Sequence, residues 1–201
     1  MRLNKRDKEI LKFVEDHKAI TIKICANLFF NNTKNNYYSA SRRLKILQEN
    51  GLLKRFRKDV YSEAVYYEKG TPLSPHRIKL LEIYSRLSMI GDINTFIKEY
   101  AVPCGNMKRK NDGLIEIAVL DKEYEYTYPL IIEIDYSHDT SINKIKDLLN
   151  SGHFQEIYDI MPIMIIVKRF EYQKKVYVDG VNIIYLNWDL EGIENIFDRE
   201  G

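Results

Sequence analysis

The sequence predicts an α+β protein in two parts: a small N-terminal helical domain closed by a hairpin, and an α/β domain with a mixed central sheet. Three observations lead there. Helical periodicity dominates the first 50 residues, and strand-like runs alternate with helical ones beyond residue 90. Between them Thr71-Pro-Leu-Ser-Pro forms a Pro-rich joint that interrupts any continuous element. The expected division is a first domain over 1–70, a linker over 71–76 and a second domain over 77–201.

Charge divides the chain in the same way. Residues 1–70 carry 16 Lys+Arg against 8 Asp+Glu, a net of +8, and residues 71–201 carry 15 against 21, a net of −6. A basic domain joined to an acidic one suits a polyanion-binding module with an appendage that does not itself bind. Charge alone leaves DNA, RNA and an anionic membrane surface open. No apolar run reaches the roughly 18 residues that a membrane span needs, and the N-terminus lacks the apolar core of a signal peptide. A cytoplasmic protein with no membrane partner is expected.

Along the first domain, Asn4 opens a helix with Asp7 three residues on, an approximate capping box. Ile10, Leu11, Phe13 and Val14 then recur at helical spacing. Asp16-His-Lys-Ala-Ile breaks that pattern, and Thr21 or a neighbour caps a second helix bearing Ile24, Cys25, Leu28 and Phe29. A polar run, Asn31-Asn-Thr-Lys-Asn-Asn, supplies the connection. A third helix runs from about Asn35 to Asn50 and stops at Gly51, a residue suited to the left-handed position after a helix end. Its inward stripe is Ala40, Leu44 and Leu47. Tyr38, Arg42 and Lys45 lie about opposite, flanked by Ser39 and Arg43. Two strands follow, Leu52–Arg57 and Ala64–Glu68, around a polar tip over residues 58–63.

This order, with the segment SRRLKILQENGLLKRF, resembles winged helix-turn-helix domains. The resemblance implies a duplex-DNA reader whose third helix meets base edges and whose wing meets the backbone. Asn35, Asn36, Tyr38, Ser39, Arg42, Arg43 and Lys45 are the candidate contacts on the helix. Asn and Arg suit bidentate base contacts, whereas Ser and Tyr suit phosphate oxygens. Lys54, Arg55, Arg57 and Lys58 are the candidates on the wing. The alternatives are a small three-helix interaction domain with a merely solvated basic face, a wing used for protein contacts, or an RNA binder.

In the second domain an amphipathic helix, His76 to about Met89, places Ile78, Leu81, Tyr84 and Leu87 at helical spacing. Strands are read at Ile93–Tyr100, Gly113–Leu120 and Tyr128–Asp135, and a helix over Ser141–Leu149. Two further strands, Ile163–Val167 and Val181–Leu186, follow. Their continuous apolar runs fit strands buried on both faces. Tyr124, Tyr126, Tyr128, Tyr136, Tyr158 and Phe154 read as sheet and core residues.

Asp112 before one strand, with Glu133 and Asp135 at the end of the next, forms a set of carboxylates able to converge on a divalent metal. The layout resembles restriction-endonuclease-like domains. There an Asp and a Glu hold magnesium, and a Lys two residues after the Glu orients or activates water. Here that third position is Asp135, so Lys144 or Lys146 would have to substitute. The expectation is therefore a non-catalytic protein without cofactor. The alternative is an Mg2+-dependent nuclease using Asp112, Glu133 and Asp135, with Asp112 and Glu133 as metal ligands. Strand-end solvated acids are the third reading.

Cys25 and Cys104 are far apart and give no metal spacing, and the four histidines are scattered, so neither a disulfide nor a zinc site is expected. The segments LNKRDKEILKFVEDHKAITIKICANLFF, SRRLKILQENGLLKRF, NDGLIEIAVL and YPLIIEIDYSHDT together resemble the plasmid replication-relaxation family. Members join a winged helix to an endonuclease-like domain with Glu-x-Asp at a strand end. After that motif this chain has Tyr136-Ser-His where members carry a basic residue and glycine. The resemblance implies a DNA-binding accessory protein or regulator of a plasmid or phage. A homodimer is expected, with replication or transfer proteins as further partners.

Overall fold

Backbone capping sets where the first elements begin and end. The computed structural model describes residues 2–60 and 62–197; Met1, Tyr61 of the expected hairpin tip, and residues 198–201 lie outside them. The chain divides into two compact units, Met1–Met89 and Ile90–Gly201.

In the first unit, α1 (Lys5–His17) starts at Asn4. The Asn4 Oδ1 accepts from the Asp7 N–H at 2.9 Å, and the Asp7 carboxylate accepts from the Asn4 N–H at 2.8 Å. Two otherwise orphaned donors are thereby satisfied. Lys18, at φ 73°, ends the helix. After β1 (Ile20–Thr21), the Thr21 hydroxyl caps α2 (Ile22–Phe29) by accepting from the Ile24 N–H at 3.3 Å. The third helix, α3 (Asn36–Glu49), buries its inward stripe as expected: Ala40, Leu44 and Leu47 are fully buried.

 

Gly51, at φ 74°, closes that helix in the left-handed conformation that glycine adopts without strain. Then β2 (Lys54–Phe56) and β3 (Val65–Tyr67) pair antiparallel, and β1 joins the other edge of β3 to give a sheet of order β1-β3-β2. The two-residue β1 escapes a periodicity reading because it is too short to show alternation. Cys25 is fully buried as a small hydrophobe, and burial pushes its thiol up to about 12. Both cysteines are free.

The domain boundary expected at 71–76 is corrected by α4 (Pro75–Leu87), which belongs to the first unit. Ser74 caps this helix and Pro75 occupies its first turn, so the Pro-rich joint is a helix start rather than a linker between domains. Leu80, Leu81, Ile83 and Leu87 are buried. The Asn27 amide donates to the Ser85 hydroxyl at 3.1 Å, and the Tyr84 ring lies 6.2 Å from that of Phe13. With α4 included, the first unit carries 19 Lys+Arg against 9 Asp+Glu, a net of +10, and residues 90–201 carry 12 against 20, a net of −8.

The second unit is built on a mixed five-stranded sheet, which makes the whole an α+β protein. Its strands are β4 (Asp92–Lys98), β7 (Gly113–Asp121), β8 (Tyr124–Asp135), β9 (Ile163–Lys168) and β10 (Ile183–Leu186), in the order β10-β9-β8-β7-β4. The β4-β7 and β7-β8 pairs are antiparallel, and β8-β9 and β9-β10 are parallel. Between β4 and β7 a separate hairpin forms from β5 (Ala101–Cys104) and β6 (Met107–Lys110), which the sequence reading passed over as a charged connection. The crossover from β8 to β9 contains α5 (Ile142–Asn150) and the short α6 (His153–Tyr158). Leu114, Ile131, Ile145, Leu148, Phe154, Met164 and Ile166 form one buried cluster that joins these helices to the sheet. Met164 to Val167 are fully buried, as expected for a strand covered on both faces. Tyr124, read as a sheet or core residue, lies in the sheet at the start of β8, where it is 67% exposed rather than in the core. Gly91 is required at its position: a Cβ there would sit 2.2 Å from the Ala118 carbonyl oxygen.

The Asp7 side chain carries two duties, since it caps α1 and accepts from the Arg43 guanidinium of α3 while being fully buried. Removing one partner of a buried pair strands the other, so Asp7→Ala should lower stability by about 3 kcal/mol in urea titration. An unchanged midpoint would show that the pair is dispensable.

Candidate functional site

The α3 surface follows from helical geometry. With Ala40, Leu44 and Leu47 inward, the opposite side presents Tyr38, Arg42 and Lys45, all exposed. Tyr38 is 67% exposed. Lys45 pairs with Glu49, at 3.6 Å one turn on. Asn35 is exposed at the N-cap without a side-chain capping bond, and Asn36 and Ser39 are half-buried. The Asn36 Oδ1 accepts from the Tyr37 N–H at 2.7 Å. Tyr37 itself is 49% exposed, a surface residue the sequence reading left out because it lies between the inward and outward stripes. Lys54, Arg55, Arg57 and Lys58 are all exposed on or beside the β2-β3 hairpin.

Arg43 is the correction on this helix. Its guanidinium forks onto the Asp7 carboxylate, with Nε to one oxygen and Nη2 to the other, so its donors are turned inward. Burial pushes the Asp7 carboxyl up, but the hydrogen bonds from Arg43 and the Asn4 N–H, with the charges of Arg43 and Arg6, hold it below the ordinary value. Arg43 therefore fastens α3 to the start of α1, where the sequence reading placed it among base contacts.

In the second unit the carboxylates of β8 lie on its α5-facing side. Strand alternation puts Ile131, Glu133 and Asp135 on one face, and Ile131 belongs to the cluster shared with α5. Glu133 is only 5% exposed. The Lys144 ammonium from α5 lies 2.6 Å from its Oε1 and also donates to the Lys110 carbonyl at 2.7 Å. Although close, the ammonium is out of line for a hydrogen bond to Oε1, which receives no aligned donor. Burial dominates and pushes the Glu133 carboxyl up to about 7; Lys144 opposes that, while Asp112 and Asp135 add to it. Asp112, half-buried, accepts from the Ile134 N–H at 2.7 Å through Oδ2.

Asp135 is committed elsewhere. Its Oδ1 accepts from the Thr140 N–H at 2.9 Å and hydroxyl at 2.7 Å, and its Oδ2 takes the Lys168 ammonium at 2.8 Å. These bonds turn the chain after β8 and lead to Ser141, whose hydroxyl caps α5 by accepting from the Lys144 N–H at 3.2 Å. The helix is also tied to β6 by the ion pair between Arg109 and Asp147. The helix, and with it Lys144, is thus held beside Glu133 from two sides, whereas Lys146 is exposed. Among the described residues, no group of three or more His, Cys, Asp or Glu side chains is placed to hold a metal ion. The three-carboxylate alternative thereby loses Asp135 and keeps Asp112 and Glu133, with Lys144 beside Glu133. Two carboxylates suit magnesium, which keeps several of its waters, better than they suit a metal that demands a closed protein cage.

No helix among the described residues is long and apolar enough to cross a membrane. Comparison with family models gives no match, and comparison with curated proteins gives none either. Among solved structures, Can2 from Sulfobacillus thermosulfidooxidans, in complex with cyclic tetra-adenylate, is similar at 8% identity and a TM-score of 0.29. The alignment covers 87% of this chain and 56% of that one.

Because the folded protein holds the Glu133 proton more tightly than an ordinary carboxyl does, stability should fall as pH rises from about 4.5 to about 7 and then level off. Glu133→Gln should remove that fall and leave the protein more stable at pH 8, by on the order of 2–3 kcal/mol. Thermal melts of both proteins across this range check it, and parallel curves would contradict it.

Proposed function

We propose that this protein binds double-stranded DNA in a sequence-specific manner through a winged helix-turn-helix formed by α1 to β3. In this reading α3 enters the major groove and the β2-β3 wing lies along the backbone. The observation that carries it is the set of exposed side chains in a unit of net charge +10: Tyr38, Arg42 and Lys45 on α3, with Lys54, Arg55, Arg57 and Lys58 on the hairpin. Asn35, Asn36 and Ser39 at the start of α3 extend the same reading face. The second unit, at net −8, serves dimerisation or partner contact rather than gripping phosphate. The resemblance to replication-relaxation proteins supports a role on a plasmid or phage, in transcription, replication or transfer.

A second reading has one observation in its favour. Lys144 comes from the helix to the buried Glu133, supplying the lysine that the Glu133-Ile-Asp135 motif lacks. In that reading Asp112 and Glu133 hold Mg2+, which would polarise a phosphate and lower the pKa of bound water. Glu133 contributes the buried charge and Lys144 holds a proton beside it. Asp135 shapes the turn that positions Lys144.

For the first reading, duplexes drawn from the DNA around the protein's own operon should be shifted by the wild type. Arg42→Ala should then weaken the best site by about 1–3 kcal/mol and relax its preference at one position. Arg57→Ala should weaken all duplexes alike and reduce the salt slope by about 1. Arg43→Ala should lower the melting temperature instead. No shift on any duplex would remove this reading. For the second, supercoiled plasmid with magnesium should be nicked by the wild type, and by neither Glu133→Ala nor Lys144→Ala. Absent or unaltered nicking would remove it.

A further inference from the structure

We propose that a cleft at the carboxyl ends of β9 and β10 is a binding site for a nucleoside monophosphate, free or as the terminal residue of a strand. The cleft is about 500 Å³, within the range of small-molecule sites. Lys168 and Arg169 at the end of β9, Lys175 from the following loop, and Tyr185 and Trp188 around the end of β10 line it. The cleft lies outside the carboxyl ends of two parallel strands.

The cations in this cleft are supported by rings. The Arg169 guanidinium lies 4.2 Å from the centre of the Tyr136 ring and 4.8 Å from that of Phe170. The Lys175 ammonium lies 5.5 Å from the centre of Tyr185. Lys168 is occupied by Asp135 at 2.8 Å and Asp139 at 3.8 Å. Among the described residues, no carboxylate pairs with Arg169 or Lys175. Two uncompensated cations at one cleft stand out in a unit of net charge −8. A guanidinium resting on aromatic rings keeps its in-plane N–H donors available for a phosphate fork.

The rings supply the other half of the ligand. Trp188, half-buried, lines the cleft and lies 5.6 Å, centre to centre, from the half-buried Tyr136 behind it. The Trp188 ring suits stacking by a planar base. Acids restrict the ligand's charge. Glu171, Asp189 and Glu191 also line the cleft, and of these Glu191 is engaged by the Asn187 amide at 2.7 Å. Two cations facing these acids favour one phosphate over a triphosphate. The inference does not depend on the first unit's DNA binding, and its test reads a different site.

Trp188 is the sole tryptophan, so its fluorescence in the full chain reports this cleft alone. Titration with adenosine monophosphate should give a saturable change, with weaker binding of the triphosphate, of adenosine and of inorganic phosphate. Arg169→Ala should weaken the monophosphate by about tenfold or more, the loss expected for a charged hydrogen bond. Lys175→Ala should weaken it less. Calorimetric titration repeats the measurement without the fluorophore, and both exposed positions leave the thermal melt unchanged. A dinucleotide with a 5′ phosphate that binds more tightly than the monophosphate would assign the site to a strand end, and equal or weaker binding to a free nucleotide. No saturable signal, an Arg169→Ala affinity equal to the wild type's, or phosphate or adenosine binding as tightly as the monophosphate would overturn the proposal.

Discussion

A buried carboxylate has to be neutralised, and three answers to that constraint organise both units. Asp7 takes Arg43, Glu133 takes Lys144 and Asp135 takes Lys168. Each pair joins two elements, distant in sequence for Asp7–Arg43 and Asp135–Lys168 and consecutive for Glu133–Lys144, so each fixes the placement of one element on another. Leaving any of these acids charged and unpartnered would cost several kcal/mol, comparable with a large share of a domain's stability. The pairs are therefore better understood as locks on geometry than as sources of net stability.

In the first unit the lock separates two jobs that adjacent arginines perform. Arg42 and Arg43 are neighbours on α3, about 100° apart around the axis. That rotation leaves Arg42 in solvent and turns Arg43 toward the start of α1. The Asp7 capping box and the Arg43 fork share one carboxylate, so the register of α3 is tied to the first turn of α1. Under the proposed DNA-binding role such a fixed helix is an advantage, because base contacts tolerate little displacement.

In the second unit the two locks are coupled through one turn. Asp135 spends both oxygens on Thr140 and Lys168, and the turn so formed delivers Lys144 to Glu133. The acid nearest the strand end is structural, and the one two residues earlier keeps an oxygen without an aligned donor. That difference follows from the chain's route: Asp135 adjoins the turn it stabilises, whereas Glu133 lies inside the sheet, where only a long side chain from α5 reaches it. The same turn places Tyr136 beside Arg169 and Trp188, which joins the carboxylate cluster to the aromatic cleft through consecutive residues.

Much of this was legible in the sequence where the signal is local. The Asn4–Asp7 box, the Thr21 cap, the Ala40–Leu44–Leu47 stripe and the apolar run of β9 each follow from spacing within a few residues. The exposed basic set on α3 and the hairpin was legible too, except for Arg43. Its direction depends on Asp7, 36 residues away, and no periodicity reports that. The β5-β6 hairpin was hidden because its strands are short and charged, and α4 because a Pro-rich start looks alike at a helix N-terminus and at a domain joint. By itself, then, the sequence determined the types of the longer elements, the charge asymmetry and the candidate residues. Tertiary structure alone decided which unit owns α4, which lysine meets Glu133 and which acids are spent, because pairing buried charges is a long-range choice made among side chains that local spacing leaves equivalent.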